Sequence, residues 1–390
     1  MTLIEMMIAL LISMVLTIAV MIVLSTFEGR RRTLGSASDL DQSGAIAMFQ
    51  LDRWIRSAGS GLSRGSSFAY GCRIFAATGG TQILPATSSL PAPFGSVSPK
   101  VSGEFRLAPV MIMSGQTTPG VSGQASDALV VMSAGNDAAQ APAPLSTPPT
   151  ASAFAVANLS EFSPLDLLLI ADQQFGTSGP ADCMVTQAGN SFSASTISLP
   201  LGGTGTTYYS STISSASLTN FTDASMVFDL GSASANGAAQ PPSFQVIGVG
   251  DNDTLFSYDL LGLTGTSPQP QADGVFEMHA VYGIDSTGNA NNVIDSWVGA
   301  GSSSAYSVNA LSDGSSGALS LIKNIRAIRV ALIMRTALPE KNVVTASSTL
   351  TLFPDLASYG LSQTRTLSTA EQHYRYRVVE STIPVRNNNF

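Results

Sequence analysis

Nineteen consecutive uncharged residues, Met6–Leu24, run through the stretch MTLIEMMIALLISMVLTIAVMIVLS, and a single carboxylate, Glu5, stands at their head. This run constrains the fold more than any other feature. About 24 helical residues at about 1.5 Å each reach roughly 36 Å, against a bilayer hydrocarbon core of about 30 Å. The run is long enough to span a membrane. A cleaved signal peptide is a poor match, because its basic n-region would come first and none precedes Thr2. The triplet Arg30-Arg31-Arg32 follows the run instead, opposite to the usual charge bias of a signal anchor. The arrangement makes sense if a short basic leader is removed and Met1 is the mature N-terminus.

Glu5 needs its own explanation. A carboxylate inside an apolar helix costs about 2.5–3.5 kcal/mol on insertion scales. An α-amine relieves that cost, either from the same chain or from a neighbouring subunit. A glutamate at the water interface needs no partner. Residue chemistry alone leaves both readings open.

Past the run, Leu40, Ala47, Leu51, Trp54, Ile55 and Ala58 recur at three-, four- and seven-residue steps, with Asp39, Asp41, Asp52 and Arg56 largely off the stripe. That is one face of a helix. The glycines of SAGSGLSRGSS then stop it. The expected organisation is a helix over about 1–58 and a head. Residues 1–27 form its membrane or filament-core half, 28–60 an amphipathic half packed on the head, and 61–390 a β-rich head.

Short apolar or alternating runs punctuated by Gly, Asn, Asp and Pro fill the rest. They are SDALVVMSA (126–134), LDLLLIAD (165–172), CMVTQA (183–188), SMVFDLG (225–231), SFQVIGVG (243–250), LFSYDLL (255–261), GVFEMHAVYGID (274–285) and IRAIRVALIMRT (325–336). These read as strands. Gly250-Asp-Asn-Asp253 predicts a hairpin. HYRYRVVESTIPVRN alternates Tyr374, Tyr376 and Val378 with Arg375 and Arg377, which suits an antiparallel strand with one wet face. Pro85–Lys100, residues 135–152 and the Gly/Ser/Thr-rich Gly202–Pro242 read as loops decorating one head. The fold class is α+β.

Charged residues make up 11% of the chain and the net charge is −8. No basic stripe is present for a nucleic-acid partner. The two cysteines, Cys72 and Cys183, allow one intramolecular bond in an oxidising compartment, or two buried thiols.

The segment TLIEMMIALLISMVLTIAVMIVL resembles the N-termini of type IV pilins and type II secretion pseudopilins. The resemblance implies a pilin fold, prepilin peptidase cleavage before Met1, methylation of the new N-terminus, and a filament-docking role for Glu5. That class more often starts with Phe, and many members carry a proline near position 22. Here Ile22 stands there, no proline precedes Pro85, and Gly29 is the first weak point of the helix.

The body narrows the likeness to PilW-like minor pilins. RWIRSAGSGL…YGC, SDALVVMSAGND, LLLIADQQFGTSGPADCMVTQAG, GVFEMHAVYGIDSTGNANNVIDSW, IKNIRAIRVALIMRT and RVVESTIPVRNNN are similar to that family's segments, in order. The likeness implies a bond between Cys72 and Cys183. It further implies a subunit that starts in the inner membrane with a periplasmic head, joins other pilins and a tip adhesin, and ends in an extracellular filament. A shaft subunit, a secretion pseudopilin and a membrane-tethered adhesin or carbohydrate-binding head remain alternatives.

Little else carries chemistry. GIDSTGNANNVIDSW offers Asp285, Asn289, Asn291, Asn292 and Asp295 as oxygen ligands for calcium, but its spacing departs from the EF-hand pattern and a polar hairpin turn explains it. Gly61-Leu-Ser-Arg-Gly65 matches G-x-S-x-G, yet that nucleophile turn needs a strand before the serine and a helix after it. Here a helix precedes and a loop is expected to follow. His279 and His373 each fall in a strand-like run. No H-E-x-x-H, Walker or Rossmann pattern occurs. No enzymatic activity or cofactor is expected. The aromatics are scattered, as in core packing and sheet pairing, with no stacked path for electrons.

Overall fold

The computed structural model describes residues 3–97, 99, 101, 103–116, 126–135, 141–172, 181–192, 197–233, 241–287 and 293–388. A helix, α1 (Leu3–Ser57), is continuous through Gly29, Gly35 and Gly44. Its 55 residues give a rod of about 82 Å. Leu40, Ala47, Leu51, Ile55 and Ala58 are buried against the head, and Trp54 is half-buried. The expected stripe is the packed face.

The main strands, in chain order, are β1 (Arg73–Thr78), β2 (Thr81–Leu84), β3 (Val110–Gln116), β4 (Ser126–Ser133), β5 (Asp166–Ala171), β6 (Asp182–Gln187), β7 (Met226–Ser232), β8 (Ser243–Gly250), β9 (Thr254–Asp259), β10 (Gln269–Asp273), β11 (Val275–Ile284), β12 (Ser296–Gly299), β13 (Ile325–Arg335), β14 (Thr349–Leu352), β15 (Gln363–Thr366) and β16 (Tyr376–Pro384). They form a six-stranded sheet β2-β1-β6-β5-β7 closed by Ala143–Pro144, a five-stranded sheet β10-β9-β8-β4-β3, a four-stranded sheet β12-β11-β13-β16, and the separate hairpin β14-β15. Every expected strand run falls within or beside one of these. The turn at 251–253 closes the β8–β9 hairpin as predicted.

Among the described residues, the head departs from an all-antiparallel plan at one place. Strands β1 and β6 run parallel, with Ile74 opposite Cys183. Parallel neighbours need a long crossover, and more than 100 residues lie between these two, including β3, β4 and β5. His373 is another departure. It lies in a 3-10 turn, Glu371–His373, ahead of β16.

The six-stranded sheet is buried on both faces. Ile74, Leu167, Leu169, Val185 and Phe228 join the main core. Phe75, Leu168, Ile170, Met184 and Val227 alternate with them into a second core. Burial on both sides is why LDLLLIAD shows a continuous apolar run with no alternation. The same holds for IRAIRVALIMRT on β13. Ile328, Val330 and Leu332 face the main core, while Ala331 and Ile333 face a third core capped by Leu352, Phe353 and Leu356 of the β14–β15 unit.

Candidate assembly surface

The first half of α1 is exposed among the described residues. Leu3–Ser25 has mean hydropathy 3.0 and none of that window is buried. Leu3, Leu10, Leu16 and Met21 are among more than a dozen exposed large apolar side chains along it. An exposed apolar surface of this length could anchor in a membrane or be covered by another protein. Its hydroxyls suit an apolar surrounding. Ser13 donates to the Leu10 carbonyl at 2.9 Å, Thr17 to that of Ser13 at 2.6 Å and Ser25 to that of Ile22 at 3.0 Å. Each satisfies its polar hydrogen within the helix.

Glu5 lies in the first turn of α1. A carboxylate there is favoured by the helix dipole, by about 0.3–1 kcal/mol. This local reason for an acid at the head of the run was missed in the sequence, where an amine of the same or a neighbouring chain and an unpaired interfacial carboxylate were the readings considered. Met1 lies outside the described residues. Glu5, Ala9, Ser13 and Thr17 fall on one i, i+4 row of the helix. Its small members let another helix approach closely.

The second half of α1 is joined to the head at several levels. Asp41 pairs with Arg377 at the start of β16. Gly44 lies where a Cβ would meet Val379 Cγ2 at 3.4 Å. At the far end, the Asn387 side-chain amide donates to the carbonyls of Arg56, Ser57 and Ala58 at 3.4, 3.4 and 3.2 Å. Those are carbonyls that a helix end leaves without intrahelical donors. Asn388 donates to Ile322 and Ile325 carbonyls at 2.6 and 2.9 Å, which ends the helix α2 (Ser316–Asn324). The Asn run in RVVESTIPVRNNN was the available signal for this double cap. Together these contacts orient the exposed rod relative to the closing sheet.

Cys72 and Cys183 are bonded, with Cα atoms 5.6 Å apart. The bond ties the segment leaving α1 to β6, just above the helix end. Nearby, Arg73 grips Asp182 through Nε at 2.9 Å and Nη2 at 3.1 Å, and Glu104 through Nη1 at 3.1 Å. The Asp182 hydrogen bond, foremost among these contacts, raises the Arg73 guanidinium above its ordinary value despite partial burial.

The remaining candidates are placed apart from one another. Asp285 is buried, accepts from the Thr287 hydroxyl at 2.6 Å, and lies 3.6 Å from Arg326 Nη2. Chiefly the Thr287 hydroxyl holds its carboxyl below the usual range. Asp295 accepts the Ser286 N–H at 2.8 Å. Both acids brace the β11–β12 hairpin, and Asn289, Asn291 and Asn292 lie outside the described residues. Among the described residues no group of three or more His, Cys, Asp or Glu side chains is arranged to hold a metal ion. Gly61–Gly65 follows α1 directly and runs into a four-residue helix, Ser66–Ala69, in place of the expected loop. No strand precedes Ser63. His373 Nδ1 lies 2.8 Å from the Glu340 carbonyl, and His279 sits between Asp127 and Glu277.

No curated protein and no solved structure matches the chain. Residues 247–387 match the family model described as PilW, type IV pilus-assembly protein W. The match spans a little over a third of the chain, from the end of β8 through the Asn387 cap. GVFEMHAVYGID, IRAIRVALIMRT and RVVESTIPVRN lie within it. SDALVVMSAGND, the Cys183 segment and α1 lie outside. The closing sheet of the head thus relates the chain to a type IV pilus family and to involvement in pilus assembly.

Proposed function

We propose that the chain is a structural subunit of a type IV pilus, with a pilin-type layout, acting as a minor, tip or priming pilin. The observation that carries this reading is the wholly exposed apolar half of α1 on a head whose closing sheet matches the pilus-assembly family. Before assembly the rod lies in the inner membrane, with the head in the periplasm, after prepilin peptidase frees and methylates Met1. In the filament the same surface packs against helices of other pilins, and Glu5 meets a neighbouring terminal amine. Removing one partner of such a buried pair costs about 3–5 kcal/mol, so Glu5 sets the height at which a subunit docks. The role is non-enzymatic, needs no cofactor or nucleic acid, and leaves the head free to hold a tip adhesin.

Glu5→Ala tests this. Expected is loss of the chain from purified extracellular fibres while the head keeps its melting temperature. Incorporation at the wild-type level refutes the docking role. The abundance of the chain in the fibre separates a tip or priming subunit from the principal shaft subunit. Its presence in a secretion apparatus without a fibre identifies a pseudopilin.

A further inference from the structure

Two deeply buried carboxylates flank one imidazole in the head. Asp127 on β4 is 4% exposed and Glu277 on β11 is 1% exposed. His279 Nδ1 lies 3.9 Å from Asp127 Oδ2, and its Nε2 lies 3.4 Å from Glu277 Oε2. Asp127 also accepts the N–H of Gly115 on β3 and of Ala280 on β11, both at 2.9 Å. Strand β12 pairs with β11 only from Val281 onward, so Asp127 supplies a partner that the ladder does not. Ser126 does the same for the Met278 N–H at 3.0 Å. Glu277 Oε1 accepts Arg365 Nε from β15 at 2.6 Å, and Arg365 Nη2 reaches Glu371 at 2.7 Å. Across β13, Glu380 stands in the same row as His279, but it is taken by Arg329 and the Phe353 N–H. Tyr282, also on β11, adds a buried hydroxyl near Asp127.

The charges do not balance when the imidazole is neutral. Asp127 and Glu277 supply two negative charges against the one guanidinium of Arg365, and the half-buried Glu371 adds a third. A buried excess charge is strongly unfavourable. One added proton makes the enclosed set of Asp127, His279, Glu277 and Arg365 neutral. Because the groups are in contact, that proton belongs to the cluster and not to one residue.

We propose that the Asp127–His279–Glu277–Arg365 chain is a proton-sensitive latch, in which uptake of one proton tightens the junction between the β3–β4 hairpin, β11 and the β14–β15 unit. Burial pushes the Asp127 carboxyl up, against the opposing pull of His279 and of the Gly115 and Ala280 N–H groups, and this acts in the same direction. The latch crosses the edge of the family-matched region. β11 and β15 lie inside residues 247–387, and β4 lies outside. Mild acid therefore locks the strand pair that precedes the matched region onto the closing sheet.

Urea unfolding of the full chain in detergent micelles tests the latch between about pH 8 and about pH 6, where linkage to one proton changes an equilibrium constant by up to about tenfold per pH unit. The wild type is expected to gain at least about threefold in its folding equilibrium constant on acidification. His279→Gln is expected to lose that gain, and His373→Gln to keep it. A flat or falling wild-type profile overturns the latch, as does a His279→Gln profile that rises like the wild type. Should His279→Gln fail to fold, Asp127→Asn decides, because it removes one buried negative charge of the set: loss of the rise supports the latch, and a rise like that of the wild type overturns it.

Discussion

Replacing both Cys72 and Cys183 with alanine is expected to lower the melting temperature of the head by about 7 °C. The bond joins residues separated by 111 positions, and in the chain-entropy model a loop of that length contributes about 4.8 kcal/mol. A head of roughly 330 residues has an unfolding entropy of about 0.7 kcal/mol/K, at about 2.1 cal/mol/K per residue. The ratio of the two gives the shift. Both side chains are fully buried, so alanine removes the link with little change in surface. The assay is differential scanning calorimetry of the full chain in detergent micelles, with the single variant Cys72→Ala as a second arm. The single variant should fall as far as the double one, because one unpaired thiol closes no loop. A drop of less than about 2 °C in the double variant would refute the loop-entropy argument and imply that the unfolded chain is already compact between these positions.

Leu51→Ala is expected to cost about 2–5 kcal/mol in urea unfolding, because Leu51 is fully buried beneath the head. Phe49→Ala, on the outward face and 66% exposed, should stay within about 0.5 kcal/mol; equal losses would show that the packed face is misassigned. Below the ordinary carboxylate range, the β14–β15 unit is expected to lose its docking. The Arg329 hydrogen bond holds the Asp355 carboxyl down. Burial pushes Glu371 up, but the Ser368 N–H and hydroxyl and Arg365 outweigh it. Groups with lowered folded values add stability above their unfolded values and lose it as pH falls through the folded ones. Asp127, Asp253 and Asp259 are raised, foremost by burial; they contribute the opposite slope, so stability rises first on mild acidification and then falls. Amide exchange of residues 349–366 against pH would show the loss, and uniform protection down to about pH 3 would contradict it.

Much of this molecule was legible because its determinants are local. Nineteen uncharged residues can be little other than a spanning or buried helix, and the Leu40–Ala58 stripe follows from helix geometry alone. Strands β4–β9, β11, β13 and β16 followed from short apolar or alternating runs between turn residues, and the Gly250–Asp253 hairpin from its turn, whereas β1–β3, β10, β12, β14 and β15 were not read in advance.

What depended on distant partners could not be read in advance. The parallel pairing of β1 with β6 joins strands far apart in the chain, and no short-range signal encodes it. His279 looked like an ordinary sheet histidine, and only the approach of β4 and β15 surrounds it with Asp127, Glu277 and Arg365. Asn387 reads as a tail residue until the last turn brings it to the carbonyls of α1. In each case the sequence determined a residue's chemistry, while packing between remote segments determined its partner, because burial energy depends on which surfaces meet and not on the order in which they were made.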